Sequence, residues 1–331
     1  MKYKRIYILI LPFLLFAFFY CSKGRKVTRA MIVTEKQRIG NLEKIEKSVL
    51  KITCSSYYKN YFYEYPTEEN VPLEDLLYDE NITSNSVAGT GLIIYQSSAR
   101  QLILTCHHIF DFEDTLKTYY YDKNKRPTEH LSTLSIKSAQ KIYIFHKNGS
   151  RSQGFIVAQD EGNDLSIIET VPASVLMTEF PFDGKFGDAG DIKLGEEVHL
   201  LGFPKGFFMV SRGLASPSNF KNKFMVDAPF NRGFSGGIVV RFIDQKPNYE
   251  YIGMANSIAY TSQNVLVPVD DPQLVEQYKS HPYEGLSYVK ELKLINYGLT
   301  FVIKSEEIKE FLKANTNELK DLGFRVTNLI D

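Results

Sequence analysis

The feature that most constrains this chain is the rhythm of its apolar runs from Val87 onward. Runs rich in β-branched and aromatic residues fall at 92–95, 101–105, 141–145, 154–158 and 164–168, separated by polar turns. A second set at 197–201, 224–226, 238–240, 251–255 and 298–303 repeats the pattern. Each run has the length of a strand rather than a helix. Short strands spaced this closely stack as sandwiches or close into barrels, so an all-β fold is expected. An earlier strand is expected at 48–54, where the side chains alternate. Ser305 then opens a helical pattern, with serine as the N-cap and Ile308, Phe311 and Leu312 on one face.

Other stretches are expected to lie outside that core. Residues 57–86 are tyrosine-rich and acidic without a clear period, and read as a long surface loop. Residues 111–140 read as a polar insertion with a basic tip at 123–126, and a second insertion falls at 266–290. A linker is expected around 179–188, a turn at 202–206 and a polar hairpin at 244–248. Ahead of the first strand, 23–47 reads as a polar tether ending in a short helix marked by Ile39, Leu42 and Ile45.

Lys2, Lys4 and Arg5 precede an apolar run over 6–20, short of the roughly 20 apolar residues that a spanning helix needs. The pattern describes export, with 1–21 as a signal peptide or a membrane or lipid anchor. The protein is therefore expected in the periplasm, at the cell surface or secreted, with membrane attachment through its N-terminus left open. Cys21 stands where a lipoprotein cysteine would, although Phe19 and Tyr20 occupy positions that favour small residues. Lipidation, ordinary cleavage and an uncleaved anchor all remain open. Basic and acidic side chains number 39 each, so no global field points to nucleic acid. Cys54 and Cys106 could pair, but two cysteines make no disulfide framework, and buried free thiols are the expected state. No ligand spacing suggests zinc, and no metal or cofactor is expected.

The chemistry gathers at Asn231-Arg232-Gly233-Phe234-Ser235-Gly236-Gly237, just before the apolar run Ile238-Val239-Val240. Glycine at 233 permits a backbone turn that aims two N–H groups at one point, the arrangement that stabilises an oxyanion. By itself the stretch could equally be a glycine-rich hairpin turn. A serine hydroxyl is a weak nucleophile without a base, so a histidine and a carboxylate are required. His107 and His108 end the 101–105 strand, and Asp164 opens the 164–168 strand. Taken singly, a core histidine and a turn-capping aspartate are the plainer readings. Taken together, all three positions lie where strands meet loops, the places that carry function on rigid scaffolds.

In chain order, His108, Asp164 and Ser235 resemble the triad of chymotrypsin-fold, trypsin-like serine proteases, and their surroundings resemble the HtrA/Deg branch. Gly89-Thr90-Gly91-Leu92 resembles that branch's glycine-flanked opening strand, and Leu104-Thr105-Cys106-His107-His108 resembles the segment that carries its histidine. Asn163-Asp164-Leu165, Gly202-Phe203-Pro204-Lys205-Gly206 and Asp227-Ala228-Pro229-Phe230-Asn231-Arg232-Gly233 resemble further segments in the same order.

The resemblance implies two six-stranded antiparallel β-barrels with a C-terminal helix over about 46–316, after a tether at 22–45 and before a tail at 317–331. Barrel one would span about 46–175, barrel two about 188–304 and the closing helix 305–316. It also implies His108 as base, Asp164 as its orienting carboxylate, Ser235 as nucleophile, and the N–H groups of Gly233 and Ser235 as oxyanion hole. Pro229 takes the base of the specificity pocket and Asn256, Ser257 and Ile258 the substrate strand, which suggests a small or medium apolar side chain ahead of the scissile bond. The expected activity is exported serine endopeptidase acting on unfolded or exposed segments of protein or peptide substrates. Two departures stand out: only a short tail follows the protease segment, and Phe234 replaces a small polar residue beside the nucleophile. The second motivates an alternative, a catalytically silent protease-like binding protein at the cell surface.

Overall fold

The computed structural model describes residues 24–68, 70–97, 99–123, 126–171, 178–243, 249–268 and 287–326. The expected leader at 1–21, the hairpin at 244–248 and the end of the tail lie outside the described residues. Among the described residues, no helix is long and apolar enough to cross a membrane.

A first barrel is built from β1 (Val49–Tyr63), β2 (Leu77–Gln96), β3 (Gln101–Thr105), β5 (Pro127–Phe145), β6 (Arg151–Asp160) and β7 (Leu165–Thr170). Its order is β1-β2-β3-β7-β6-β5, closed by antiparallel pairing of β5 with β1, and β4 (Thr115–Tyr121) adds to β5 as a hairpin. The second barrel runs β12-β9-β10-β11-β14-β13 and closes through β12 with β13. Its strands are β9 (Glu196–Gly202), β10 (Met209–Pro217), β11 (Lys223–Val226), β12 (Ile238–Phe242), β13 (Tyr249–Pro268) and β14 (Ser287–Lys304), with β8 (Lys185–Phe186) parallel to β13. Two closed six-stranded antiparallel barrels are thus present, as the resemblance implied. Closure removes the unpaired edges that an open sheet of short strands would expose.

Alternation builds the interiors. In β1, Val49, Leu50, Ile52 and Cys54 are buried, and the intervening side chains turn outward. Leu102, Ile103 and Leu104 of β3 meet Ile167 and Ile168 of β7 in the same core. Barrel two closes over Val198, Leu200, Val226, Val239 and Ile252. Cys54 and Cys106 are free and buried, and burial pushes the Cys54 thiol up to about 11.

Several expected loops are strands. Residues 57–86 were expected as a loop, yet β1 continues to Tyr63 and pairs with β2 from Leu77, so most of the stretch is a long hairpin. The expected insertion at 111–140 likewise folds as β4 and the outer half of β5. These strands meet as a four-stranded extension of the barrel in the order β2-β1-β5-β4, where β1 and β5 are paired on both sides. Burial plays little part at its margin, since residues 77–86 of β2 are all exposed; this is why no apolar period marked them. In the 266–290 insertion, β13 extends to Pro268 and β14 begins at Ser287.

Three terminal expectations also change. The tether is helix α1 (Gly24–Glu46), with Ile45 buried and Leu42 packed on the core. Arg38 donates to Glu197 at 2.8 Å, and Lys44 pairs with Asp183. Ser305 is not the N-cap of helix α2 (Ser305–Ala314): Lys304 holds that position, and the buried Ser305 hydroxyl donates to the Gly187 carbonyl. The tail is no loose end, because helix α3 (Thr316–Asp321) leads to Phe324 and Val326, both buried. The Phe324 ring lies 5.3 Å from Tyr95 and under the Arg100 guanidinium.

Candidate active site

The loop between β11 and β12 delivers Ser235. Ala228, Phe230 and Phe234 on this loop are buried in barrel two, and the two phenyl rings lie 6.0 Å apart. Phe234 is only 1% exposed, so the ring beside the nucleophile points into the core. Gly233 has φ +102°, and a Cβ there would run into the carbonyl oxygen of Phe203. Gly236 has φ +82° and lies against the Thr90 carbonyl. Both conformations suit glycine and strain any other residue. Gly236 N–H donates to the Ala255 carbonyl at 2.9 Å, and Ala255 N–H donates to Gly237 at 2.7 Å. These bonds tie the loop to β13.

His108 comes from barrel one, on a 3-10 turn (His107–Ile109) after β3 that Ile109 roots in the core. Asp164 precedes β7 at φ +57°, a left-handed conformation that aspartate tolerates better than most residues. Its two oxygens take separate bonds: Oδ1 accepts the His108 N–H at 2.7 Å, and Oδ2 accepts from His108 Nδ1 at 2.7 Å. A carboxylate only accepts, so Nδ1 must carry the proton, and the Nε2 lone pair is left to face the Ser235 hydroxyl at 2.8 Å. His107 is turned elsewhere, with Nδ1 at 3.3 Å from the Ser166 hydroxyl.

Burial alone would raise the Asp164 pKa. Hydrogen bonds and charge from His108, with a further bond from Asn256, outweigh burial and hold the carboxyl below the ordinary aspartate range. Asn256 was expected to contact substrate, yet its side chain is 3% exposed and its NH₂ donates to Asp164 Oδ2. The opposite end of that amide accepts from Lys223 Nζ at 2.7 Å and from the Ser257 hydroxyl at 2.9 Å. Asn256 therefore backs the carboxylate, and sequence reading missed Lys223 altogether. Ile258 is half-buried against barrel two, and Pro229 is exposed.

Lys205 N–H donates to the Arg232 carbonyl at 2.8 Å. In a trans peptide the carbonyl and the following N–H point apart, so this bond turns the Gly233 N–H away from Lys205. Among the described residues, neither that N–H nor the one of Ser235 donates to another protein group. Cys106, His108 and Asp164 bring potential metal-ligand atoms within 4.8 Å of one another. The imidazole and carboxylate are already bonded to each other, and burial, with the Asp164 charge, pushes the Cys106 thiol well above its ordinary range. The set thus lacks a ready thiolate. What the arrangement can do is move a proton from an alcohol to an imidazole.

Residues 89–246 match the family model described as trypsin-like peptidase domain. Among solved structures, the chain is similar to the HtrA-type protease AlgW with decapeptide (TM-score 0.46, 15% identity, covering 83% of this chain and 66% of that one). A variant of AlgW with decapeptide gives TM-score 0.46 and 14% identity, covering 84% of this chain and 66% of the other. In both cases this chain spans slightly less than two thirds of the matched chain. No curated protein matches the sequence. Over residues 89–246 the sequence is thus similar to trypsin-like peptidase domains, and the two closed barrels form a chymotrypsin-like fold.

Proposed function

We propose that the protein is a serine endopeptidase working through Ser235, His108 and Asp164. The observation that carries this reading is the unbroken line of hydrogen bonds from Asp164 through His108 to the Ser235 hydroxyl. In the proposed reaction, Ser235 Oγ attacks the scissile carbonyl carbon as His108 Nε2 takes its proton. Asp164 keeps the imidazole in the required tautomer and stabilises its cation. The carbonyl oxygen, now an oxyanion, is received by the N–H groups of Gly233 and Ser235, each worth roughly 3 kcal/mol in comparable sites. The C–N bond breaks as His108 returns the proton to the leaving amine. Water, deprotonated by the same imidazole, then releases the acid from the acyl-enzyme.

The substrates proposed are unfolded or exposed protein segments outside the cytoplasm, with residues 1–21 directing export or attachment. Ser257 and Ile258 lie where the β13 ladder is interrupted by register shifts, and we assign the substrate's extended backbone to this stretch. Inward burial of Phe234 favours an active loop over a silent binding protein. A fluorophosphonate probe tests the proposal: wild type should be labelled at one serine and Ser235→Ala should not. Folded wild type that stays unlabelled and leaves casein intact would refute it.

A further inference from the structure

One polar residue at the junction of the barrels, neither the nucleophile nor its base, is hydrogen-bonded through its N–H, its hydroxyl and its carbonyl. Thr90, on β2 of barrel one, is fully buried. Its N–H donates to the Ser235 carbonyl at 2.8 Å, and its hydroxyl donates to the Gly233 carbonyl at 2.6 Å. The same hydroxyl accepts the Phe203 N–H at 2.9 Å, and the Thr90 carbonyl accepts from the Thr105 hydroxyl at 2.6 Å. One residue therefore binds the nucleophile loop twice and also binds the 203–206 turn, whose Lys205 N–H orients the Arg232 carbonyl. Gly236 makes this approach possible, since a Cβ there would strike the Thr90 carbonyl and the Thr105 hydroxyl.

These contacts have a geometric consequence. The peptide plane before Gly233 is held by Lys205 through the Arg232 carbonyl, and the plane after it is held from both ends, by Thr90 on the Gly233 carbonyl and by the Phe234 N–H on the Asn231 carbonyl. Gly233 at φ +102° has no Cβ to restrict its rotation, so its N–H direction depends on the bonds that clamp these planes. Without the hydroxyl, the Gly233 carbonyl would be left buried without a partner and the N–H of the half-buried Phe203 would lose its acceptor. The loop could relieve that cost by rotating a plane, and the rotation would misdirect the N–H.

We infer that Thr90 is a positioning residue that sets the oxyanion hole from the opposite barrel, through its side-chain hydroxyl. The inference rests on the proposed serine endopeptidase activity and adds to it a residue that touches neither substrate nor the reacting atoms.

The test compares wild type, Thr90→Val and Thr90→Ser for saturation kinetics of fluorophosphonate labelling, with thermal unfolding measured in parallel. The phosphonyl oxygen must enter the oxyanion hole during reaction, so the maximal labelling rate should fall by roughly 10²-fold in Thr90→Val. The probe's half-saturation concentration should change little, and Thr90→Ser should restore the rate to within about threefold, since it keeps the donor and acceptor that the loop requires. A purely structural role would lower the folded fraction while leaving folded molecules at the wild-type rate. If Thr90→Val does not fold, Thr90→Ala against Thr90→Ser decides the same point. Wild-type labelling rates in folded Thr90→Val, or a Thr90→Ser as slow as Thr90→Val, would overturn the inference while leaving the endopeptidase reading intact. An unlabelled wild type would instead remove the reading on which it rests.

Discussion

The two barrels hold their share of the site by different physics. Barrel one presents His108 and Asp164 through hydrogen bonds that converge on one carboxylate, which accepts from the His108 backbone, the His108 ring and Asn256. Barrel two presents Ser235 on a loop held by two buried phenyl rings and by glycines at positive φ. The base side is therefore specified by charge and proton position, and the nucleophile side by shape. Damage should follow that division: charge-changing substitutions should disarm barrel one without unfolding it, and volume changes should unfold barrel two.

The largest effect expected is from Ser235→Ala, which should lower kcat on casein or a peptide amide by roughly 10⁶-fold while unfolding remains cooperative and near wild type. Asp164→Asn keeps the shape of the carboxylate but permits the wrong imidazole tautomer, and should cost about 10⁴-fold in kcat. Near-normal turnover by that variant would contradict an electrostatic base side. Phe234→Ala addresses the other barrel: loss of a fully buried ring should cost about 3–5 kcal/mol of stability by urea titration. A loss under about 1 kcal/mol would mean that the ring does not anchor the loop.

A smaller effect is expected behind the carboxylate. Asn256→Leu removes the amide that donates to Asp164 and accepts from Lys223. A hydrogen bond to a charged group of this kind corresponds to roughly tenfold to a hundredfold in kcat, and KM should hardly move. An effect confined to KM would return Asn256 to the substrate-contact role expected from sequence.

The smallest effect is one of pH, and it offers one probe in each barrel. His146 in barrel one faces Glu179, and His199 in barrel two faces Glu197, Arg38 and Arg212. Burial lowers both pKa values, so below the ordinary histidine value near 6.5 the unfolded chain binds more protons than the folded one. Stability should accordingly fall as pH drops from about 7.5 to 5.5. Replacing either histidine by glutamine should flatten that dependence, and an unchanged slope in both variants would exclude them as its source.

The sequence was legible where burial leaves a period. The barrel strands showed because they bury apolar side chains, on both faces in β3, where Leu102, Ile103 and Leu104 are all buried. The outer halves of β2 and β5 were read as loop and insertion because burial contributes little there, and residues 77–86 have no buried face to advertise. The outer half of β1 buries Tyr58, Asn60 and Tyr63, a mixed set flanked by further tyrosines that gives no clear apolar period. In helix α1, Leu42 and Ile45, the residues that marked the expected short helix, reach the core, and Ile39 is exposed. At the site, Gly233 and Ser235 could be found from local spacing. Thr90 could not, because its hydroxyl meets a carbonyl 143 residues away in the chain. Lys223 gave no local signal either, because its partner Asn256 lies on another strand, 33 residues on.

By itself, the order of residues determined that strands would form, where turns would interrupt them, and which loop could tolerate the backbone geometry around Ser235. Those outcomes depend on a residue and its close neighbours, whose sterics and polarity are written locally. Tertiary structure alone decided that Asn256 backs Asp164 and that Thr90 clasps a loop of the other barrel. Hydrogen bonds between distant segments depend on angstrom-scale distances and on which direction a side chain faces, and both are set only when the two barrels close and pack together.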